Sequence, residues 1–582
     1  MNVYSTQDRI ATFDGAHGTP TATAGVETRG VRIDIDELTR RVRTRNKGEV
    51  TLLDRVSFTL SAGELVAIVG PSGSGKTTLL EAIAGISPAT SGSVRFDGVD
   101  VYANQNTFRS VLGYVPQDDI IHADLPVVRT LGYAARLRLP SSTTAAAIDH
   151  AVHDAIDAVG LSDFAEVRVA SLSGGQRKRA SIAAELLTDP HVFFLDEPTS
   201  GLDPVASADL ITRLRQLADR SATVVFTTHS IEDLERCDRI VFMARGGRVA
   251  FVGTVNEALV HFAVSSVPAL YRRLTYVNDT AHAAGAATAT PIPDTERRNV
   301  TRRPVAGALT QWVVLTQRTL ETFARNRLTL AILIGSPALV IGMFAILFRP
   351  GAFDFDNPSP SSMVMIGFWI VFAAFFFGLT YGLLQICTEQ SIVRRERLVG
   401  LRLGSYVASK ITILAPFLLL VVATMLAVLR LMNRLPSRPL STYASIGVGL
   451  ALCAIAALGL GLLTSAMVGN VSQATLALPM LCFPAVLFSG AILPVHLMAG
   501  AGAGLSVVIP SRWAFEVIGH DLGARRILAE GGSPLGPPLL SSYGDAGAQS
   551  TGTYWLILTA FAVVFLVGTW AAVVHSTRRS LR

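Results

Sequence analysis

The sequence predicts a chain of two unlike halves: an α/β domain built on a phosphate-binding loop, residues 30–277, and an all-α membrane domain of six spans, residues 306–582. Three observations carry this prediction. A glycine-rich turn closed by Lys76 and Thr77 follows the apolar run Leu65-Val66-Ala67-Ile68-Val69. Short apolar runs alternate with helical patterns up to about residue 260. In the second half, six apolar runs each reach the roughly 20 residues that cross about 30 Å of hydrocarbon.

Composition agrees with each part. A chain of 582 residues is too long for one core. Half of it is hydrophobic, 16% is charged and the mean hydropathy is +0.43, which excludes an ordinary soluble protein. The net charge of +6 is modest. Of the 50 basic residues only Lys47, Lys76, Lys178 and Lys410 are lysine, a skew that points to a GC-rich, bacterial genome. The cysteines, Cys237, Cys387, Cys453 and Cys482, lack metal-ligand spacing and read as buried free thiols. The polar start, MNVYSTQDRIATFDG, reads as no cleavable signal peptide.

The N-terminal residues 1–28, rich in Thr, Gly and Ala, read as a disordered tail. Residues 278–305 form a low-complexity linker ending in a basic cluster. The strand candidates are Glu64–Val69, Val192–Leu195 and Thr223–Thr227. The six spans are placed at Leu328–Phe348, Met363–Cys387, Ile411–Leu431, Ile446–Val468, Ser472–Leu493 and Tyr554–Val574. Basic clusters before the first span, in Arg394–Lys410 and after the last share one side, which reads as cytoplasmic. Arg430, Arg434 and Arg438 dissent from the other face. Before the first span, Trp312, Leu315, Thr319 and Phe323 fall on one helical face. They mark either an interfacial helix or an amphipathic helix packed on protein. The rings of Phe368, Trp369, Phe372, Phe375, Phe376, Phe377, Phe483 and Phe488 face lipid or line an apolar cavity.

The turn comprises Gly70, Pro71, Ser72, Gly73, Ser74, Gly75, Lys76, Thr77 and Thr78. Strand, glycine turn and helix form the setting in which Gly-x-x-x-x-Gly-Lys-Thr binds phosphate. Backbone N–H groups point inward, the lysine reaches the outer phosphates and the threonine hydroxyl can hold Mg²⁺. Further on come Gln117 in GYVPQDD and a second glycine turn, Leu172-Ser173-Gly174-Gly175-Gln176, which opens a helix. A free helix start of this kind can bind an anion. The strand Val192–Leu195 ends in Asp196, suited to Mg²⁺, and Glu197, suited to activating water. Ser200–Asp203 reads SGLD, and Thr223–Thr227 leads to His229, placed to contact a terminal phosphate.

In this order the motifs resemble the nucleotide-binding domain of ATP-binding cassette transporters. The resemblance implies a P-loop NTPase fold that uses ATP and Mg²⁺. Residues Gly70–Thr78 then bind phosphates and Mg²⁺, Gln117 senses Mg²⁺ and couples to the membrane half, with the basic loop Glu389–Lys410 as the coupling helix, and Asp196 is the acid on the metal side. Glu197 becomes the catalytic base and His229 the switch. Ser173, Gly174, Gly175 and Gln176 contact ATP held by an opposite subunit, and Asp203 is a dimer contact. A nucleotide domain followed by six spans is similar to the G subfamily of half-transporters and its bacterial relatives, as are RRERLVG at Arg394–Gly400, FSGAILP at Phe488–Pro494 and IPSRWAFE at Ile509–Glu516. Leu38–Arg45 offers no aromatic to stack on adenine, and Ala491-Ile492 replaces a bulky leucine gate.

The resemblance implies a homodimer in the plasma (inner) membrane, with the nucleotide domain and both termini cytoplasmic, and no nucleic-acid partner. Three functions stay open: an exporter of hydrophobic or amphipathic molecules, an exporter of an envelope glycan or lipid-linked precursor, and a membrane-tethered cassette ATPase without transport.

Overall fold

Five consecutive apolar residues suit a strand covered on both faces, and all of Leu65–Val69 are buried. The computed structural model describes residues 30–44, 48–108, 111–276, 306–544 and 547–579. The strands are β1 (Ile33–Thr44), β2 (Gly48–Leu60), β3 (Leu65–Val69), β4 (Ser91–Phe96), β5 (Val99–Asp100), β6 (Leu112–Val115), β7 (Val192–Leu195), β8 (Thr223–Thr227), β9 (Arg239–Ala244) and β10 (Arg248–Gly253). The expected strands at 192–195 and 223–227 are found to the residue, and the first begins at Leu65 rather than Glu64. The predicted tail and linker lie outside the described residues.

The strands form an antiparallel sheet, β2-β1-β4-β5, and a larger one, β10-β9-β3-β8-β7-β6. In the larger sheet β9, β3, β8, β7 and β6 run parallel, with β10 antiparallel at one edge. Parallel strands put all their C-terminal ends on one edge, where α/β sheets bind ligands. The segments after β3, β6, β7 and β8 therefore emerge side by side. These are the segments that carry the phosphate loop, Gln117, Glu197 and His229.

In the second half, helix Ala308–Arg325 precedes the spans. Its buried face runs through Gln311, Val314, Leu315, Arg318 and Thr319, and the Trp312 indole N–H donates to Thr412 Oγ1 at 3.0 Å. It is thus packed on protein. Among the described residues five helices are long and apolar enough to cross a membrane: Arg327–Leu347, Pro360–Leu383, Leu403–Leu431, Leu440–Met467 and Thr551–Arg579. The fifth expected span is the exception. Its helix, Val471–Leu487, has 17 residues and contains Pro479 and Pro484. At 1.5 Å per residue it reaches about 25 Å, short of the hydrocarbon thickness. The apolar run continues to Leu493, but the chain turns at Ser489-Gly490, where Gly490 has φ +77°.

Helices Pro360–Leu383 and Leu440–Met467 meet at glycines. A Cβ on Gly378 would lie 2.2 Å from Ala454 O, one on Gly382 2.5 Å from Leu458 O, and one on Gly461 2.4 Å from Leu379 O. Small residues four apart let two backbones touch, as in membrane helix pairs generally. The aromatic-rich span divides its rings. Phe368, Phe375 and Phe377 are buried within the chain, while Trp369, Phe372 and Phe376 are half-buried; on the short helix Phe483 is exposed.

The dissenting arginines have a structural use. Arg434 donates to Ala345 O at 2.9 Å, closing the last turn of Arg327–Leu347, and Arg438 donates to Leu522 O at 3.3 Å beyond Pro510–Asp521. Cations satisfy the free carbonyls of helix C-termini.

Candidate functional site

The turn after β3 needs glycine where φ is positive: Gly73 at +78° and Gly75 at +94°. A Cβ on Gly75 would stand 2.8 Å from Leu52 O, so only hydrogen fits. Lys76 opens the helix Lys76–Ile83 and folds back, its Nζ donating to Gly70 O at 3.0 Å and Pro71 O at 3.3 Å. Ser74 Oγ is buried with no partner. Pro71 and Thr78 are half-buried, and Ser72 is exposed.

Beside the turn, Thr77 Oγ1 donates to Asp196 Oδ1 at 3.1 Å. The same carboxylate oxygen accepts from Thr227 Oγ1 at 2.6 Å, and Thr227 Oγ1 in turn accepts the Glu197 N–H at 2.8 Å. One hydroxyl, at the end of β8, thus fixes both acids that leave β7. Glu197 sits at φ +44°, a left-handed conformation uncommon outside glycine and often kept at functional sites. Its Oε2 accepts from Gln117 Nε2 at 3.3 Å and lies 3.8 Å from His229 Nδ1. Asp196 is buried, Glu197 half-buried, and Gln117 and His229 are exposed.

These residues fit Mg²⁺ and a polyphosphate. The Thr77 hydroxyl and Asp196 carboxylate are the hard oxygen donors Mg²⁺ prefers, and the orphaned Ser74 hydroxyl lies in a turn of backbone amides shaped for phosphate oxygens. The structure brings Thr77, Gln117, Asp196, Glu197 and His229 to this edge. The LSGGQ residues are engaged differently. Ser173 caps helix Gly174–Leu186 in a reciprocal box with Gln176, at 3.2 and 3.0 Å. Asp203 caps Pro204–Asp219 through Val205 N and Ala206 N. Ser173, Gly174 and Asp203 stay exposed, and Gly175 abuts Leu202.

Sequence reasoning missed the roles of three groups here. Thr227 was legible only as a strand end. Asp233 accepts from Thr199 at 2.9 Å and Thr228 at 2.8 Å, tying the segment before His229 to the one after Glu197. Lys178 lies buried behind the LSGGQ turn. The junction with the membrane half falls within the expected coupling loop Glu389–Lys410, on the short helix Gln390–Leu398. There Arg395 reaches Glu185 Oε1 at 2.8 Å, and Glu185 also pairs with Arg138 at 2.8 Å. Burial by itself would raise the Glu185 carboxyl, yet the two guanidiniums hold it below the ordinary carboxylate range. Nearby, Arg318 pairs with Glu396, and Lys410 binds Glu389 at 2.8 Å.

His122 belongs to the same junction. Its Nε2 is buried without a partner, and Arg318, Glu389, Glu396 and Lys410 face it. Burial, then Arg318, lowers its pKa from 6.5 to about 4. Burial raises the Glu389 carboxyl, but Lys410, His122 and Arg318 outweigh it and bring the pKa to about 2. Between pH 6.5 and 4 the unfolded histidine therefore holds more proton than the folded one, so stability is full above 6.5 and falls as pH drops. Below 4.5 Glu389 adds a loss of the same sign. Thermal unfolding of the purified chain from pH 7.5 to 4 is expected to show this decline, and His122→Asn is expected to flatten its upper part relative to the unsubstituted chain.

The family described as ABC transporter matches residues 53–200, and the family described as ABC-2 type transporter matches residues 310–519. An ABC transporter ATP-binding/permease protein of Mycobacterium tuberculosis is 32% identical over 94% of this chain and 62% of its own length. ABC transporter G family member 22 of Arabidopsis thaliana is 37% identical over 37% of this chain and 29% of its own. Nod factor export ATP-binding protein I of Paraburkholderia xenovorans is 35% identical over 35% of this chain and 67% of its own. The chain thus spans less than two thirds of the mycobacterial and plant relatives. With a cassette matched in its first half, an ABC-2 membrane domain in its second and bacterial and G-family relatives, the chain belongs to the ATP-binding cassette transporter family.

Proposed function

We propose that the chain is an ATP-hydrolysing exporter of hydrophobic or amphipathic molecules. It works as a pair of identical copies in the plasma (inner) membrane, with the cassette and both termini cytoplasmic. The observation that carries this reading is the position of Glu197 next to Asp196, which Thr77 of the phosphate loop meets, in a chain whose membrane half buries Arg395 against Glu185 of the cassette.

In this reading Gly70–Thr78 cradle the phosphates of ATP, and Thr77, Gln117 and Asp196 hold Mg²⁺. The bound ion neutralises phosphate charge. Lys76 releases the Gly70 and Pro71 carbonyls to meet the outer phosphates. Glu197 takes a proton from water at its carboxylate, and Gln117 and His229 orient that carboxylate and the water. Each chain carries one phosphate loop and one LSGGQ turn, so a nucleotide touched by both requires two chains. The exposure of Ser173, Gly174 and Asp203 supports their use against a second copy, with Gly175 and Gln176 completing the same turn.

The export direction draws support from the relatives named for Nod factor export. The cargo class draws on the short helix, where Leu476, Met480 and Phe483 are exposed. Gln473 and Thr475 are exposed on the same helix, and this mixture of polar and apolar groups favours a second reading, a glycan or lipid-linked precursor of the cell envelope. ATPase assays in proteoliposomes decide between them. We expect stimulation by amphipathic lipids or drug-like molecules for the first, and by lipid-linked saccharides for the second. ATPase insensitive to every cargo, with no flux, would leave a tethered cassette and overturn both.

A further inference from the structure

Thr227 closes β8 and Thr228 follows it, and the alternation of a strand sends their side chains to opposite sides. Thr228 Oγ1 donates to Asp233 Oδ2 at 2.8 Å. Thr227 Oγ1 turns instead to the acids that leave β7. A main-chain N–H can only donate and a carboxylate can only accept, so this hydroxyl has one orientation open to it. Its oxygen accepts the Glu197 N–H at 2.8 Å, and its single proton goes to Asp196 Oδ1 at 2.6 Å. Thr227 is 0% exposed, so bulk water does not replace the hydroxyl. The branched side chain restricts χ1, so the backbone of β8 aims the oxygen. That backbone pairs with β7 on one side and, at Ile68, with β3 on the other.

Glu197 depends on this contact more than an ordinary residue would. Its φ of +44° is a costly conformation for a side chain of its size, and it persists where neighbours over-determine it. Here the main chain is held at both ends: Thr227 takes the N–H, and Ser200 N donates to Glu197 O at 3.1 Å. Asp196 is fixed likewise, its N–H donating to Val115 O at 2.9 Å and its carboxylate accepting from Thr77 and Thr227. Without the Thr227 hydroxyl the Glu197 N–H loses its acceptor, and the route by which one acid feels the position of the other is broken.

We propose that Thr227 is a positioning residue for ATP hydrolysis, which locks the Asp196 carboxylate and the Glu197 main chain into one unit. The metal-side acid and the base then keep a fixed separation, and the Glu197 carboxylate stays aimed at Gln117 and His229. Thr227 acts through these two acids. Its effect on turnover rests on the function proposed above.

The test uses the full-length protein in lipid nanodiscs, with Thr227→Val, which keeps the shape and removes the hydroxyl, and Thr227→Ser, which keeps the hydroxyl. Without nucleotide, Thr227→Val is expected to raise amide hydrogen exchange at Glu197 about tenfold, and Thr227→Ser to leave it unchanged. In steady-state ATPase assays Thr227→Val is expected to lower kcat about tenfold with the KM for ATP within about twofold, and serine to restore kcat to within about threefold. Val225→Ala, two residues back on the same face of β8, removes core packing and leaves these hydrogen bonds alone; its kcat is expected to stay within about twofold. Thr227→Ala carries the same expectations as the valine and replaces it should the valine not fold. Unchanged exchange at Glu197 in Thr227→Val overturns the lock. An unchanged kcat in that variant, no restoration by serine, or an equal loss in Val225→Ala overturns the positioning role. If the unsubstituted protein hydrolyses no ATP, the transporter reading fails instead, and the exchange data still decide the lock.

Discussion

Glu197→Gln is expected to keep ATP binding and to lose turnover by about a hundred- to ten-thousandfold, the range over which a positioned general base acts. The amide matches the carboxylate in shape but cannot accept a proton from water. The backbone anchor survives the exchange, because Thr227 holds the Glu197 main-chain N–H, and the new amide oxygen can still accept from Gln117. Asp196 keeps its bonds to Thr77 and Thr227. The effect should therefore appear in kcat, with nucleotide affinity and thermal unfolding unmoved. Phosphate release and equilibrium binding of labelled ATP measure the two sides. An unchanged hydrolysis rate would remove Glu197 from its proposed role.

Glu185→Ala is the largest stability effect we expect. It leaves Arg138 and Arg395 buried without their shared counter-charge; their side chains are 4% and 7% exposed. Removing one partner of a buried ion pair costs about 3–5 kcal/mol, because the remaining charge stays desolvated. Here two cations are stranded on either side of the cassette–membrane junction. Thermal unfolding in detergent should show the loss, and limited proteolysis should show the cassette freed from the membrane helices. Adding Arg138→Met should return part of the lost stability, since it removes one of the stranded charges; strict additivity of the two changes would show that they do not interact.

Much of the nucleotide site was legible because its parts are local. Each of the phosphate loop, Gln117, Glu197 and His229 follows an apolar strand, and parallel pairing then brings those strand ends together without further information. The strands at 192–195 and 223–227 could be read to the residue for the same reason. What was not legible depends on partners distant in sequence. Arg395 meets Glu185 across 210 positions, and each looks in sequence like one more solvated charge. Thr227 is an ordinary strand residue until the fold sets it between two acids. The fifth expected span is where composition and geometry part: Ser472–Leu493 is mostly apolar, but Pro479, Pro484 and the Ser489-Gly490 turn shorten its helix. Nothing in sequence showed that Arg434 and Arg438 donate to carbonyls at helix ends.

The glycine seam joining Pro360–Leu383 to Leu440–Met467 has a mechanical corollary. Backbones this close leave no slack for sliding, since a one-residue slip would push a side chain into a carbonyl at Gly378, Gly382 or Gly461. These two helices must therefore travel as a single strut. Any stroke that opens or shuts a passage has to be absorbed outside this pair.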